Sequence, residues 1–203
     1  MDLFTSENKL LKIELPLADS EVVYYPNLLP SAEATSLHQN LLQNISWRQD
    51  HITIYGKTYP QPRLTALYGE EGASYSYSGI KMDPLPFTSE LKRIKNTIEK
   101  LTRASFNVVL INLYRDGRDS NGWHSDDEKE LGENPFIASI SLGAKRTFHL
   151  RHKSIKHLKH KIDLGHGSLL TMAGATQHFW QHQLPKSSKI TRSRINLTFR
   201  FIQ

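Results

Sequence analysis

The sequence predicts a mainly β protein with flanking helices (α+β), of the jelly-roll or barrel kind. From Asn107 to the end, short apolar runs alternate with glycine-containing turns, and no long helical pattern appears. The two helical periodicities both lie in the first half, over 31–44 and 87–102. The last segment alternates strictly. Ile195, Leu197, Phe199 and Phe201 share one face, and Arg194, Asn196, Thr198 and Arg200 share the other.

A chain of 203 residues suffices for one domain with a sizeable core. Residues 1–20 read as a loosely ordered lead-in and 21–203 as the domain. Within it, 21–105 carries the helices, a hairpin and a lid, and 106–203 the β core. Glu21–Tyr25 is a short strand. Pro30–Ser31 opens a helix with Ser31 at its cap, and Leu37, Leu41 and Leu42 form its apolar stripe. Trp47 to Thr53, the turn at Tyr55–Gly56–Lys57 and the return at Thr58–Tyr59 make a β-hairpin with an aromatic at its tip. Residues 62–69 continue extended, and 70–79 form a loop rich in Gly, Ser and Tyr. The second helix, with Thr88 or Ser89 as cap, buries Leu91, Ile94, Ile98 and Leu101. Strands then follow over 107–114, 136–142, 146–151, 168–172, 178–183 and 193–202. The Lys-, Arg- and His-dense stretch 145–161 reads as an exposed basic hairpin.

Composition excludes several classes. The absence of cysteine rules out a disulfide framework and Cys-based zinc sites, and suits a reducing compartment. No apolar run reaches membrane-spanning length, and the acidic start Met1–Asp2 is not a signal peptide. A net charge of +6 and a pI near 9.4 favour a polyanionic partner.

The chemistry centres on Asn112 to Glu128. A hydrophobic strand (Val108, Val109, Leu110, Ile111) ends there, a turn rich in Asp, Gly and Ser follows, and His124-x-Asp126 comes next. In extended backbone, residues two apart point the same way, so both side chains can reach one point. An imidazole nitrogen and a carboxylate oxygen are two legs of a 2-His-1-carboxylate triad, the ligand set of non-haem Fe(II) oxygenases. The third leg must be a distant His, and His178 and His182, four apart, both qualify. Two arginines on the polar face of the last strand either meet water or, inside a barrel, demand anionic partners. A dicarboxylate would satisfy them through bidentate Arg contacts. Asn112 and Tyr114, side by side on their strand, can hydrogen-bond the same molecule.

Asn112-x-Tyr114, His124-x-Asp126, a downstream His and Arg194-x-Asn196-x-Thr198-x-Arg200, in that order, resemble the AlkB family of Fe(II)/2-oxoglutarate dioxygenases. The connecting segments Pro62-Arg63, Tyr68-Gly69, Phe106-Asn107, Ala138-Ser139 and His166-Gly167-Ser168-Leu169-Leu170 extend the resemblance over most of the chain. It implies a double-stranded β-helix with the two helices packed outside. It implies Fe(II) held by His124, Asp126 and His182, since the family ligand stands just before a Leu-Pro-like pair, here His182-Gln183-Leu184-Pro185. His178 then falls outside the ligand set, and His166 takes the family's structural place. The resemblance further implies 2-oxoglutarate on Arg194, Arg200, Asn112 and Tyr114, with Asn196 and Thr198 beside them, and O2 as oxidant.

The implied activity is oxidative demethylation of 1-methyladenine and 3-methylcytosine in alkylated DNA, with RNA as an alternative, releasing formaldehyde, succinate and CO2. Substrate contacts fall on Asp127 and Glu128 beside the metal, and on Tyr75 and Tyr77 in the lid. Tyr55 takes the place of the family's base-replacing finger, within Ile54-Tyr55-Gly56. Arg63, Lys57 and the basic groups at 145–161 and 186–192 are phosphate-contact candidates. A monomer without a membrane partner is expected, cytoplasmic in a bacterium and nuclear in a eukaryote. The rival readings are RNA or protein as substrate, and a non-catalytic nucleic-acid-binding module on the same fold.

Overall fold

A computed structural model describes residues 10–54, 56–73, 75–77 and 80–203, with the side chains of 54, 75–77 and 80–82 outside the description. In chain order the elements are β1 (Ile13–Glu14), β2 (Glu21–Tyr25), α1 (Ser31–Asn44), β3 (His51–Ile54), β4 (Lys57–Pro60), β5 (Leu64–Gly69), β6 (Tyr75–Tyr77), β7 (Ile80–Met82), β8 (Leu85–Pro86) and α2 (Ser89–Thr102). Then come β9 (Val108–Tyr114), β10 (Asn121–His124), a 3-10 turn at Lys129–Leu131, β11 (Ile137–Gly143), β12 (Arg146–His152), β13 (Lys159–Leu164), β14 (Ser168–Ala173), α3 (Thr176–Phe179), β15 (Trp180–Leu184) and β16 (Arg194–Arg200). Strands β1-β2-β14-β11-β16-β9-β5-β8 form one large sheet and β10-β15-β12-β13 a smaller one. This is the jelly-roll type of sandwich that the strand rhythm predicts.

The two helices cover the outer face of the large sheet. Leu37 and Leu41 of α1 and Leu91, Ile94 and Ile98 of α2 pack with Val109, Ile111, Ile140, Leu197 and Phe199 in one core cluster. The alternation of β16 decides which way it faces. Ile195, Leu197 and Phe199 join that cluster, so Arg194, Asn196, Thr198 and Arg200 point between the sheets. The strand lines the interior.

Several elements differ from expectation. Ser31 is the first helical residue of α1 and caps nothing; Pro30 holds the cap position without a side-chain acceptor. Leu42, expected in the buried stripe, is 40% exposed. Only His51–Ile54 of the stretch from Trp47 is a true strand, while Arg48 makes a single bridge to Thr65. The loop over 70–79 contains β6, which pairs with β7. Strand β10 has no alternating pattern in Asn-Gly-Trp-His to announce it. The expected strand from 178 starts at Trp180, because 176–179 form the helical turn α3. The basic hairpin is β12–β13, with Arg146 opposite Leu164 and Arg151 opposite Lys159.

Helix α2 shows how a local signal fixes a boundary. Thr88 is extended, and its hydroxyl accepts from Leu91 N at 3.2 Å. The helix ends at Arg103, whose left-handed backbone (φ 60°) lets its N–H reach Glu99 O. Thr88→Ala removes the first cap. It is expected to lower unfolding free energy by about 1 kcal/mol, read as a shift of the urea midpoint at constant m. An unmoved midpoint would show that α2 holds its start without the hydroxyl.

Candidate active site

The turn after β9 is pinned before it delivers His124. Asp119 accepts from the backbone N–H and the guanidinium of Arg115 at 2.8 to 2.9 Å. Buried Arg146 donates to the carbonyls of Asp116, Asp119 and Pro185. Strand β10 then pairs with β15 so that His124 stands opposite His182. Their Nε2 atoms lie 3.1 Å apart, and His124 Nε2 is 3.9 Å from Asp126 Oδ1. One ligand atom from each of the three falls within 4.8 Å of the others, the one such group among the described residues.

Protonation suits this trio to a divalent metal. Gly122 O, which can only accept, lies 2.8 Å from His124 Nδ1, so that nitrogen carries the proton and Nε2 offers its lone pair. Burial pushes His182 down to about 3 and lowers His124 as well. Burial alone would raise Asp126, but the Arg200 guanidinium at 2.8 Å and the two imidazoles outweigh it and hold the carboxyl at about 2. Two neutral imidazoles and one carboxylate on a common point are the donor set of a facial 2-His-1-carboxylate centre. The residues fit Fe(II).

The wall facing the trio is built by β16, β9 and β11. Registers set Arg194 opposite Tyr114, and Asn196 opposite both Asn112 and Ser141. Arg194 Nη2 donates to Ser141 Oγ at 2.9 Å, its guanidinium lies 5.3 Å from the Tyr114 ring centre, and its Nε has no hydrogen-bond partner among the described residues. Burial lowers Arg194 to about 10, which leaves it charged at neutral pH. Asn196 Nδ2 donates to Ser139 Oγ at 2.8 Å, and Thr198 Oγ1 donates to Asn196 Oδ1 at 2.9 Å. Between the walls lies a cavity of about 480 Å3, open mouth included, lined by the trio and by Asn112, Tyr114, Arg194, Asn196, Thr198 and Arg200.

Other expected site residues are placed differently. His178 is exposed on α3, away from the cavity lining, whereas His182 is 4% exposed. His166 accepts from Gly143 N through Nδ1 and meets Thr35 Oγ1 through Nε2, a structural role. Arg63 does not stand on the surface as a phosphate contact would. It is 4% exposed, and its Nε donates to Asn112 Oδ1 at 2.9 Å. That bond orients the Asn112 amide. Asp127 pairs with Lys153 Nζ at 3.1 Å, and Glu128 is half-buried next to it in the chain. Tyr55 and the side chains of Tyr75 and Tyr77 lie outside the described residues.

Sequence reading missed Asn121, whose Nδ2 is 3.3 Å from His124 Nε2, and Phe148, which stacks on His182 at 5.2 Å. It also missed Ser139 and Ser141, although two serines at period two in an otherwise apolar strand were a usable signal. Gln177, whose Oε1 accepts from Asp126 N, carried no sequence signal at all.

A family model described as the 2OG-Fe(II) oxygenase superfamily matches residues 21–200. The chain is 44% identical over 196 residues to alpha-ketoglutarate-dependent dioxygenase alkB homolog 3 of Homo sapiens, covering 92% of this chain and 68% of the relative. It is 38% identical over 188 residues to DNA oxidative demethylase ALKBH2 of Homo sapiens, covering 88% of this chain and 72% of the relative. Among solved structures, an oxidoreductase of the 2OG-Fe(II) oxygenase family from Burkholderia pseudomallei superposes with a TM-score of 0.60 at 14% identity, over 88% of this chain and 84% of that one. The last likeness speaks to the fold alone.

Burial of the imidazoles generates a pH prediction. Two ordinary histidines would titrate near 6.5 and lose metal affinity by roughly tenfold between pH 7.5 and 6. Both are lowered here, so protons compete less. Mn(II) affinity, measured by calorimetry, is expected to change by less than about threefold over that window. His182→Ala should abolish binding while His178→Ala leaves it intact. The reverse pair of results would move the third ligand to α3.

Proposed function

The chain belongs to the 2OG-Fe(II) oxygenase superfamily and, within it, to the AlkB family, and on that premise we propose that it demethylates N-alkylated bases in nucleic acid, using Fe(II), 2-oxoglutarate and O2. The observation that carries the reading is one cavity with two walls: a 2-His-1-carboxylate trio on one side and a buried, charged Arg194 on the other. Binding nucleic acid needs neither.

His124, Asp126 and His182 are assigned to the metal, three ligands that leave sites for co-substrate and oxidant. When bound, Fe(II) with 2-oxoglutarate and O2 supplies an oxidation in which decarboxylation to succinate and CO2 is coupled to hydroxylation of an N-methyl group, lost as formaldehyde. The protein's part is placement. Arg194 offers a planar fork to the far carboxylate of 2-oxoglutarate, with Tyr114 beside it. Asn112, its Oδ1 taken by Arg63, turns its Nδ2 donors elsewhere, toward the co-substrate in this assignment. Asn196 and Thr198 brace that wall through their hydrogen-bonded chain to Ser139. Arg200 acts through Asp126, keeping it ionised.

The target base is assigned to the mouth beside Asp127 and Glu128, with Tyr75 and Tyr77 in the lid strand. In this assignment the two carboxylates, Asp127 shared with Lys153, would complement 1-methyladenine and 3-methylcytosine, which carry positive charge. Lys57 and the exposed basic groups of the β12–β13 hairpin and of 186–192 are the phosphate candidates that remain. Among the described residues no helix is long and apolar enough to cross a membrane, and we carry a monomer as part of the proposal.

The direct test incubates the protein with single- and double-stranded oligonucleotides carrying 1-methyladenine or 3-methylcytosine, plus Fe(II), 2-oxoglutarate and ascorbate, and weighs the products. Loss of one methylene mass with stoichiometric succinate is expected. Succinate without any change in the oligonucleotide would redirect the search to another substrate.

Two variants probe the assignments. Arg194→Ala removes a charge-assisted bidentate contact and should raise the 2-oxoglutarate KM by at least tenfold, a cost of roughly 1.5–3 kcal/mol. Arg194→Lys should recover part of that. An unchanged KM would take Arg194 out of the co-substrate site. Tyr55, between β3 and β4, is proposed to fill the gap left by an extruded base. Tyr55→Ala should then lower the rate on methylated duplex far more than on the same lesion in a single strand. Equal losses on both would make the defect a general one.

A further inference from the structure

The short helix α3 does more than connect β14 to β15. Gln177 is 1% exposed, although His178 and Phe179, which follow it on the same helical turn, are exposed. Its Oε1 faces Asp126 N at 2.9 Å, and a backbone N–H can only donate, so the amide orientation is fixed. Its Nε2 donates to Met172 Sδ, a residue of the cavity lining, at 3.7 Å. The backbone carbonyl of Gln177 accepts from Lys153 Nζ at 2.8 Å, and the same ammonium holds Asp127 at 3.1 Å. One residue away from Asp126 on the other side, Ser125 Oγ donates to Trp180 O at 2.9 Å. Three consecutive residues, 125 to 127, are therefore gripped by one segment, 177 to 180, and by the lysine seated on it.

This grip compensates for a weakness of the local chain. Asp126 lies beyond the end of β10, where no strand ladder holds it. Its carboxylate is fixed by Arg200, but its peptide needs a partner of its own, because a buried N–H without an acceptor is costly. Gln177 supplies that partner.

We infer that Gln177 is a positioning residue for the metal site, its side-chain acceptor setting the Asp126 peptide. The inference rests on the metal assignment proposed above. Partners of this kind cost roughly 10–100-fold in metal affinity when removed. Gln177→Met keeps the volume and loses the acceptor, and Gln177→Glu keeps an acceptor oxygen.

The test measures Mn(II) affinity of the full chain by calorimetry, alongside the 2-oxoglutarate KM at saturating Fe(II). Gln177→Met is expected to weaken Mn(II) binding at least tenfold while the KM for 2-oxoglutarate stays within twofold. Gln177→Glu should return the affinity to within threefold of the parent. A Gln177→Met protein that binds Mn(II) like the parent overturns the inference. So does a Gln177→Glu protein as weak as Gln177→Met, since packing rather than the acceptor would then be at work. Should Gln177→Met fail to fold, Gln177→Leu, which also lacks the acceptor, decides by the same readout. A loss of at least tenfold supports the inference, and none refutes it. A parent protein that takes up no Mn(II) would instead sink the metal assignment itself.

Discussion

The pair of Arg200 and Asp126 ties the two sheets to one purpose. Arg200 ends β16 in the large sheet, and Asp126 follows β10 in the small one. They meet at 2.8 Å with both side chains almost wholly buried. Removing two charges from water costs several kcal/mol for each ion, so such a pair is a poor way to gain stability. Its return is specification. With the guanidinium in place, the carboxylate stays ionised despite burial, and one of its oxygens is committed. The metal trio inherits a carboxylate of fixed charge and direction.

That contact in turn constrains the register of the large sheet. Arg194, Asn196, Thr198 and Arg200 reach the interior because β16 pairs with β9 and β11 as it does. A slip of one residue would turn all four outward and drive Ile195, Leu197 and Phe199 into the cavity. Helices α1 and α2 prevent this by demanding an apolar outer face. The polar lining of the site and the hydrophobic packing of the helices are two readings of one alternation.

What was legible in the sequence follows from the range of the interactions. Period-two and helical patterns are local, and β16, β9, α2 and the edges of the hydrophobic strands stood out from them. The trio was legible only through motif order and the Leu184-Pro185 pair that follows His182, since periodicity alone does not distinguish His182 from His178. The difference is that α3 ends at Phe179 and turns His178 to the solvent, while β15 begins at Trp180 and turns His182 inward. Arg63 read as one more surface cation, because its burial depends on β5 pairing with β9 and on Asn112 waiting across the strand. Gln177 is the extreme case. Its partner is 51 residues upstream in the sequence and reached only after both sheets have closed.

The charges inside the sandwich explain why the site calls for an anion as well as a metal. Arg194 and Arg200 share the cavity lining with a single carboxylate, Asp126, while burial keeps both histidines neutral. Arg200 is matched by Asp126. Arg194 is not matched by any carboxylate in the cavity lining; it has a hydroxyl and a ring beside it, and its lowered pKa registers the cost of that burial. A divalent cation on the trio would add to the same sign of charge. A dicarboxylate placed as proposed, one end near the trio and the other at Arg194, would relieve both excesses at once, so each ligand should favour the other by a reciprocal coupling. The charges of the lining residues suit a dianionic co-substrate, and a neutral or cationic small molecule would leave Arg194 without a carboxylate.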